Sequence, residues 1–198
     1  MPRAGLTPDR VVGEAERLAD EVGLARLTLA TLAGRLGVRQ PSLYKHVDGL
    51  DGLRRSIAVR AKDELAGTLA RAAVGRSRGD AIVALAGAYR RWALQHPGRY
   101  AAAQRAPAVG DTEDQVASDA VVRVVTDVLA GFDLRDDDAI DATRALRSAL
   151  HGFVTLEADG GFGLPADIGR SFDRLVRGLV RAFTSWADEP ALSRSQAS

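Results

Sequence analysis

The 198-residue chain contains no cysteine, and that absence excludes several kinds of site. Without a thiol, the chain has no disulfide, no thiolate metal site and no cysteine nucleophile. Its only three histidines, His46, His96 and His151, are scattered at no spacing typical of metal ligands. No glycine-rich phosphate loop follows a strand pattern. We therefore expect no metal, no cofactor and no enzymatic activity, and an all-helical enzyme is the least supported hypothesis.

The chain also lacks long apolar runs and the alternating pattern of β-strands. No apolar stretch approaches the ~18 residues that are needed to span a bilayer. The N-terminal sequence MPRAGLTPDR lacks the apolar centre of a signal peptide. We expect a cytoplasmic protein without a membrane partner, and its hydrophobic content of 46% is sufficient for a buried core.

Basic and acidic residues nearly balance over the whole chain, but they are unevenly distributed along the sequence. The net charge is only +1, yet residues 1–62 hold 11 basic and 7 acidic residues. Residues 63–198 hold 16 basic and 19 acidic residues. Only two of the basic residues, Lys45 and Lys62, are lysines. A basic N-terminal part predicts a surface there that binds nucleic acid or another anion.

Apolar residues recur at helical spacing along almost the whole chain, so we predict an all-α fold. Thr7, followed by Pro8, and Thr28 are the expected helix N-caps, and Gly23 and Gly37 the expected helix ends. The pattern predicts nine helices, at residues 8–22, 28–36, 41–46, 50–74, 80–95, 99–105, 112–131, 136–158 and 166–186. The small, polar tail of residues 188–198 is expected to be disordered.

The segment VRQPSLYKHV, residues 38–47, contains the third of these helices. Proline fixes φ and lacks an N–H group, so Pro41 fits the first turn of a helix better than its interior. Three short helices, with Gly37 in the tight connection before the last one, are typical of a helix-turn-helix. The small shared core of this unit is predicted at Leu32, Ala33, Leu36, Val38 and Leu43.

The outward-facing residues of the third helix carry groups that suit DNA. They are Gln40, Ser42, Tyr44, Lys45 and His46. An amide can pair with adenine, hydroxyl groups can bind phosphate oxygens, and a cation can bind the DNA backbone. An ordinary solvated helix would more often carry simple charges, so the composition favours DNA contact.

Residues 24–54, LARLTLATLAGRLGVRQPSLYKHVDGLDGLR, resemble the head of the TetR family of transcriptional repressors, with a tetracycline-repressor-like recognition segment. SALHGFVTLE in the eighth helix resembles a Trp-His-Gly-type signature of one branch, with Ser148 in place of the tryptophan. The resemblance implies a helix-turn-helix DNA-binding domain at residues 1–50. It also implies a helical effector-binding and dimerisation domain at residues 51–187, whose first helix, at 51–74, is the connector.

The resemblance also implies which residues meet DNA. Thr28 would bind a phosphate at a helix N-terminus, while Gln40 and Pro41 would meet base edges and a thymine methyl group. Tyr44 and Lys45 would hold the backbone. The full set of expected DNA contacts is Thr28, Arg39, Gln40, Pro41, Ser42, Tyr44, Lys45 and His46.

Two positions depart from the family pattern. Ala30 stands where an arginine is common, and Leu50 stands where a lysine is usual. We therefore expect fewer phosphate contacts than the family average, with Arg39, Arg54 or Arg55 as replacements. The salt dependence of DNA binding should be correspondingly shallow.

Nine of the ten aromatic residues lie beyond residue 62 and allow two interpretations. Aromatic residues on one helix face usually form core. A cavity lined by aromatic and aliphatic groups with a few polar ones would show the same pattern. On the second interpretation, a small and mostly apolar effector is bound by Tyr89, Trp92, His96, Tyr100, Phe132 and Phe153.

A recognition helix of under two turns contacts only a few base pairs, so two copies are needed for useful affinity. The long, amphipathic eighth and ninth helices predict a four-helix bundle between two chains. The expected interface residues are Leu150, Gly152, Phe172, Leu175, Val176, Leu179 and Phe183. The homodimer would bind a palindromic double-stranded operator in successive major grooves, about 34–36 Å apart. A ligand-released repressor is the expected function, and a helix-turn-helix DNA binder without an effector is the alternative.

Overall fold

The computed structural model describes residues 5–186, and these residues form helices and connecting loops with no strand. The eight α-helices are α1 (Pro8–Val22), α2 (Leu29–Leu36), α3 (Gly49–Ala73), α4 (Arg78–Gln95), α5 (Pro97–Ala103), α6 (Thr112–Leu129), α7 (Asp136–Ala158) and α8 (Ile168–Trp186). The 3₁₀ helices are Leu24–Arg26, Gln40–Lys45 and Ala130–Phe132. The tail at 188–198, expected to be disordered, lies outside the described residues.

The all-α prediction is confirmed, and each of the nine predicted helices is present with its ends within two residues. The third predicted helix is the 3₁₀ helix Gln40–Lys45, so α3 to α8 are the fourth to ninth predicted helices. Within residues 5–186, no helix combines the length and the apolar character that crossing a bilayer requires.

The predicted caps form as expected because each satisfies backbone groups that a helix end leaves unpaired. The hydroxyl oxygen of Thr7 accepts the N–H of Arg10 at 3.2 Å. Thr28 and Thr31 form a reciprocal capping box at the start of α2. Gly37 ends α2 in the left-handed conformation, with φ of 67°, where a side chain would be strained.

The chain divides into two compact units. Unit 1 consists of residues 5–69 and 88–122, and unit 2 of residues 70–87 and 123–186. Helices α3, α4 and α6 therefore contribute residues to both units. This division is one of packing, and the functional boundary expected near residue 50 stays a prediction.

The core of unit 1 is built around the predicted helix-turn-helix. Leu43 of the third helix and Leu53 and Ile57 of α3 are fully buried. The cluster comprises Val11, Val12, Ala15, Leu18, Ala19, Leu27, Leu29, Leu32, Ala33, Leu43, Val47, Leu53, Ile57, Ala58 and Ala102. Burying each of the larger aliphatic side chains stabilises the fold by roughly 1.5–3 kcal/mol. The first half of α3 is thus part of the same core as the three short helices.

Helix α5 lies against α1 at backbone contact distance. A Cβ atom placed on Gly98 would lie 2.2 Å from both the carbonyl carbon and the carbonyl oxygen of Ala19. The next residue fixes this contact, because the backbone N–H and the Nε–H of Arg99 donate to Asp20 at 2.9 and 2.8 Å. Arg99 also donates to Glu64 of α3 at 2.7 Å, so one guanidinium joins three helices.

Ion pairs join α3 to the start of α6. Arg55 donates to both carboxylate oxygens of Asp111 at 2.5 Å and to Glu113 at 2.8 Å. Lys62 and Asp114 form a buried pair at 2.5 Å, with side chains only 4% and 1% exposed. Removing one member of a buried pair leaves the other charge uncompensated and costs about 3–5 kcal/mol.

Unit 2 is organised by the packing of α7 against α8 and by the start of α4. The rings of Phe153 and Phe172 lie 5.1 Å apart and those of Phe132 and Phe183 lie 6.1 Å apart. A Cβ atom on Gly79 would lie 2.9 Å from a methyl carbon of Val180, so the start of α4 lies close to α8.

The contact of α5 with α1 predicts an unequal response to two glycine substitutions. Gly98→Ala should lower the free energy of unfolding by about 3 kcal/mol, the upper end for overpacking, because backbone rather than a flexible side chain blocks the new methyl group. Gly13→Ala, inside α1 with nothing within 4 Å of its Cβ position, should raise it by about 0.5–1 kcal/mol. Urea unfolding followed by circular dichroism measures both. Equal effects of the two substitutions would contradict the close contact.

The Arg55–Asp111 pair predicts a specific acid sensitivity. The hydrogen bond from Arg55 lowers the pKa of Asp111 from 3.8 to about 2. Because the pKa is lower in the folded state, this contribution to stability is fully present above about pH 4 and is lost as the pH falls toward 2. Arg55→Leu should therefore flatten the decline in stability between pH 4 and pH 2, measured by urea unfolding.

Arg54→Leu is the matched control, because Arg54 makes no ion pair within residues 5–186. It should leave the pH dependence unchanged. A decline that is the same in wild type and Arg55→Leu would show that Asp111 does not carry the effect.

Candidate nucleic-acid interface

The predicted recognition helix is a six-residue 3₁₀ helix, which we call the recognition segment (Gln40–Lys45). Its hydrogen bonds span three residues, as in the bond from the Ser42 N–H to the Arg39 carbonyl oxygen at 2.9 Å. Pro41 has no N–H to donate and stands in the first turn, as expected. A 3₁₀ helix of six residues is longer than the usual run of three or four.

One side chain anchors the recognition segment in the core. Leu43 is fully buried, and Val47, which follows the segment, is only 8% exposed. Leu36, the last residue of α2, and Val38, in the connection that follows, pack on the same cluster and are partly buried. All five predicted core positions of the helix-turn-helix therefore lie in or against the core, and the opposite side of the segment faces solvent.

Most of the predicted DNA contacts are on the surface. Ser42 and His46 are half-buried, and the other six are exposed: Thr28, Arg39, Gln40, Pro41, Tyr44 and Lys45. Tyr44 is 58% exposed, which is unusual for so large an aromatic side chain. Residues three apart align along a 3₁₀ helix, so Tyr44 follows Pro41 and Lys45 follows Ser42 in two adjacent rows.

The N-terminus of α2 adds a backbone site beside these side chains. The hydroxyl oxygen of Thr28 accepts the N–H of Thr31 at 3.1 Å, and the N–H of Thr28 donates to the Thr31 hydroxyl at 3.2 Å. The hydroxyl and the backbone N–H of Thr28, which was expected to bind a phosphate, are thus both engaged in the cap. A phosphate here would be bound chiefly by the N–H groups of the first turn of α2 that follow.

Ion pairs limit which cations near the recognition segment can bind phosphate. Arg55 is held by Asp111 and Glu113, so it is a poor replacement for a missing phosphate contact. Leu50 packs against the core where the family has a lysine. Arg39 is exposed, and Arg54 is half-buried with its Nε atom unpartnered. The expected replacements are thereby reduced to Arg39 and Arg54.

Arg35 on α2 also forms ion pairs with acidic residues. It donates to Glu14 at 2.8 Å and to Glu21 at 2.6 Å. The hydrogen bond to Glu21 holds the pKa of Arg35 above its ordinary value. Sequence reasoning did not identify these pairs, because Arg35 and its partners are 14 and 21 residues apart.

Four of the six expected effector contacts lie in unit 1, where they pack against one another. Tyr89, Trp92 and Tyr100 are buried, and the hydroxyl groups of Tyr89 and Tyr100 are 2.9 Å apart. The half-buried ring of His96 lies 5.6 Å from that of Trp92, and its Nδ1 atom is 2.5 Å from Arg99. Core packing accounts for these side chains, and their contact with an effector stays a prediction.

The other two expected effector contacts lie in unit 2. Phe132 is 2% exposed and packs on Phe183, while the Phe153 ring lies 4.7 Å from that of Phe162. These rings, too, are part of aromatic packing within their unit. Within residues 5–186, no group of three His, Asp or Glu side chains is placed to hold a metal ion.

The expected dimer-interface residues separate into two groups. Leu150, Phe172, Val176 and Phe183 are at most 3% exposed within their own subunit. Gly152, Leu175 and Leu179 are half-buried and keep accessible surface. Among residues 5–186, no atom lies within 4 Å of a Cβ position on Gly152, so this glycine makes no close contact with another helix there.

Comparison with known proteins agrees with this architecture. The family model described as tetracyclin repressor-like, C-terminal domain, matches residues 82–179. An uncharacterised HTH-type transcriptional regulator of Mycobacterium tuberculosis, Rv0681, is 41% identical over 158 residues, which cover 79% of this chain and 72% of that protein. The uncharacterised HTH-type regulator YobS of Bacillus subtilis is 38% identical over 178 residues, 89% of this chain and 92% of that protein.

Solved structures share the fold. A protein of unknown function from Rhodococcus sp. RHA1 has a TM-score of 0.71 at 27% identity, covering 94% of this chain and 98% of that one. A TetR variant from Acinetobacter baumannii AYE has a TM-score of 0.69 at 20% identity, covering 92% and 98%. The chain therefore belongs to the TetR family of transcriptional regulators and is a DNA-binding regulator of the helix-turn-helix type.

Proposed function

We propose that the chain is a homodimeric repressor, which binds a palindromic double-stranded operator and is released from it by a small, mostly apolar effector. The observation that carries the proposal is the exposed face of the recognition segment. Its buried Leu43 holds the backbone, while Gln40, Tyr44 and Lys45 extend into solvent. A rigid support with exposed polar groups is what reading a DNA groove requires.

Some side chains of this face suit contacts with DNA bases, and others suit contacts with the phosphate backbone of DNA. The Gln40 amide can pair with an adenine edge, and Pro41 offers an apolar contact for a thymine methyl group. The Tyr44 hydroxyl and the Lys45 ammonium suit phosphate oxygens, which position the protein without reading sequence. Arg39 and Arg54 are the additional cations that we assign to phosphates. Ser42 and His46, half-buried, have the least surface to offer.

The need for two copies follows from the size of the segment. Six residues of 3₁₀ helix meet only a few base pairs, so a second segment on the same operator supplies the rest of the affinity. Helices α7 and α8 present the accessible apolar groups for this pairing. Besides Leu175 and Leu179, they include Ile140, which is 48% exposed, and Leu156, which is 50% exposed. Burying these groups between two subunits would remove apolar surface from water and thereby stabilise a dimer.

The effector part of the proposal rests on the fold. The A. baumannii TetR structure contains minocycline, so that protein binds a small molecule within this architecture. A ligand releases DNA only if it prefers the conformation that does not fit the operator, and a 100-fold preference corresponds to about 2.7 kcal/mol. A DNA-release titration with candidate compounds tests this part separately from operator binding.

Substitutions on the exposed face of the recognition segment, which we call the recognition face, should weaken DNA binding without lowering the stability of the fold. The double variant Tyr44→Ala, Lys45→Ala should abolish measurable binding to the upstream sequence of the chain's own gene. Lys45→Ala alone should weaken it about tenfold and lower the salt-dependence slope by about one, because one phosphate contact is removed. Fluorescence anisotropy over a series of salt concentrations measures both effects.

Arg91→Ala is the control, since Arg91 is an exposed residue of α4 and its loss removes one positive charge, as Lys45→Ala does. It should leave operator affinity nearly unchanged. If the double variant still bound the operator with wild-type affinity while remaining folded, the assignment of the recognition face would be wrong.

If α8 forms part of the dimer interface, substitutions on its two faces should affect self-association differently. Leu179→Glu should weaken self-association by at least about 100-fold, because an unpaired carboxylate would be buried between subunits. Arg177→Glu, on the exposed face of α8, should leave the dimer intact. Sedimentation velocity at several concentrations reports the difference. Dimerisation of Leu179→Glu at wild-type strength would exclude this face as the interface.

A further inference from the structure

Unit 2 contains a groove that none of the assignments above uses. It lies between the end of α3, the turn into α4 and the end of α6, and its volume is about 360 Å³. Its floor is apolar, with Ala73, Val124 and Val128 among the lining residues. The volume is at the lower end of the roughly 300–1,000 Å³ that is typical of small-molecule sites. A ligand here would therefore be small and at least partly apolar.

Two arginines on the turn give the groove a positive side. Arg76 donates to the carbonyl oxygen of Ala72 at 3.0 Å, which holds its side chain across the end of α3. The guanidinium carbon of Arg78 lies 5.6 Å from the centre of the Phe132 ring. Within residues 5–186, neither guanidinium has an ion-pair partner. Two guanidinium groups without an ion-pair partner, beside an apolar floor, are suited to a carboxylate.

Arg78 has a backbone conformation that is unusual for an arginine. Arg78 has φ of 48°, in the left-handed region that favours glycine or asparagine. The following Gly79 is held against Val180 of α8, so the turn has little freedom to relax. Arginine is thus not the residue that this backbone favours. What Arg78 contributes there is its side chain, which lies over the Phe132 ring, while Arg78 itself is one of the residues that line the groove.

An acidic residue on the same groove restricts the charge of the ligand. Asp127 of α6 is one of the lining residues. It would repel a second negative charge on a ligand, while a single carboxylate could still bind on the arginine side. We infer that this groove binds a small monocarboxylic acid with an apolar body. The inference goes beyond the proposed function, because it concerns binding and would hold whether or not DNA release follows.

The experiment is calorimetric titration of the full chain with four compounds of the same chain length. Octanoate is the probe, and octanamide, octylamine and suberate replace its single negative charge with none, a positive charge and two negative charges. We expect octanoate to bind at least tenfold more tightly than each of the others. Equal binding of octanamide or octylamine, or no binding of octanoate up to millimolar concentration, would overturn the inference.

Substitutions on the turn localise the site. Arg78→Asn should weaken octanoate binding at least tenfold while leaving the melting temperature unchanged or higher, because asparagine tolerates the backbone conformation. Arg76→Gln should weaken binding in the same direction, and Arg78→Lys should restore part of the affinity. Arg91→Asn, an exposed control on α4, should have no effect. Unchanged affinity in both Arg78→Asn and Arg76→Gln would place octanoate elsewhere and reject the groove.

Operator binding by the same preparations separates this inference from the proposed function. A chain that shifts its operator but binds no octanoate leaves the DNA-binding proposal intact and rejects the groove. A chain that binds octanoate through Arg78 but never binds the operator supports the groove and rejects the proposed function.

Discussion

The proposed DNA-binding surface depends on the burial of one leucine. Leu43 is fully buried in the core of unit 1, and the recognition segment around it has only six residues. So short a helix cannot be stable through its own hydrogen bonds in water. Its conformation is therefore maintained by the packing of Leu43 and Val47 and by the turn at Gly37. Every exposed group that can reach a base or a phosphate is positioned by these contacts.

The second constraint is the pairing of charge in unit 1. The N-terminal part of the chain is basic by count, but many of its cations are held by carboxylates. Arg55 binds Asp111 and Glu113, and Lys62 is buried against Asp114. Three further arginines of α1, α2 and α3 are also ion-paired: Arg17, Arg35 and Arg60. The positive charge that remains for DNA is smaller than the count indicates. A shallow salt dependence of binding, expected from the sequence for a different reason, agrees with this pairing.

Aromatic residues on one helix face can either form a core or line a ligand cavity, and the sequence pattern is the same in both cases. Tyr89, Trp92 and Tyr100 fill the interior of unit 1, and the hydroxyl groups of the two tyrosines lie 2.9 Å apart. The groove in unit 2 has instead a wall of small aliphatic residues and arginines. Aromatic content alone therefore did not locate this groove. A cavity forms where packed side chains leave space unfilled, and its position cannot be predicted from a sequence pattern because it depends on tertiary packing.

From the sequence alone one can predict the all-α class, the approximate position of each helix, the caps at Thr7 and Thr28 and the helix-turn-helix head. These features could be predicted because periodicity, capping and proline placement act over a few neighbouring residues. The tertiary structure decided the 3₁₀ form of the recognition segment, the engagement of Arg55 and the burial of Leu150 and Phe172 within the subunit. It also decided the position of the groove. Burial and ion pairing depend on residues tens of positions apart, such as Arg55 and Asp111, which are brought together only by the folded chain.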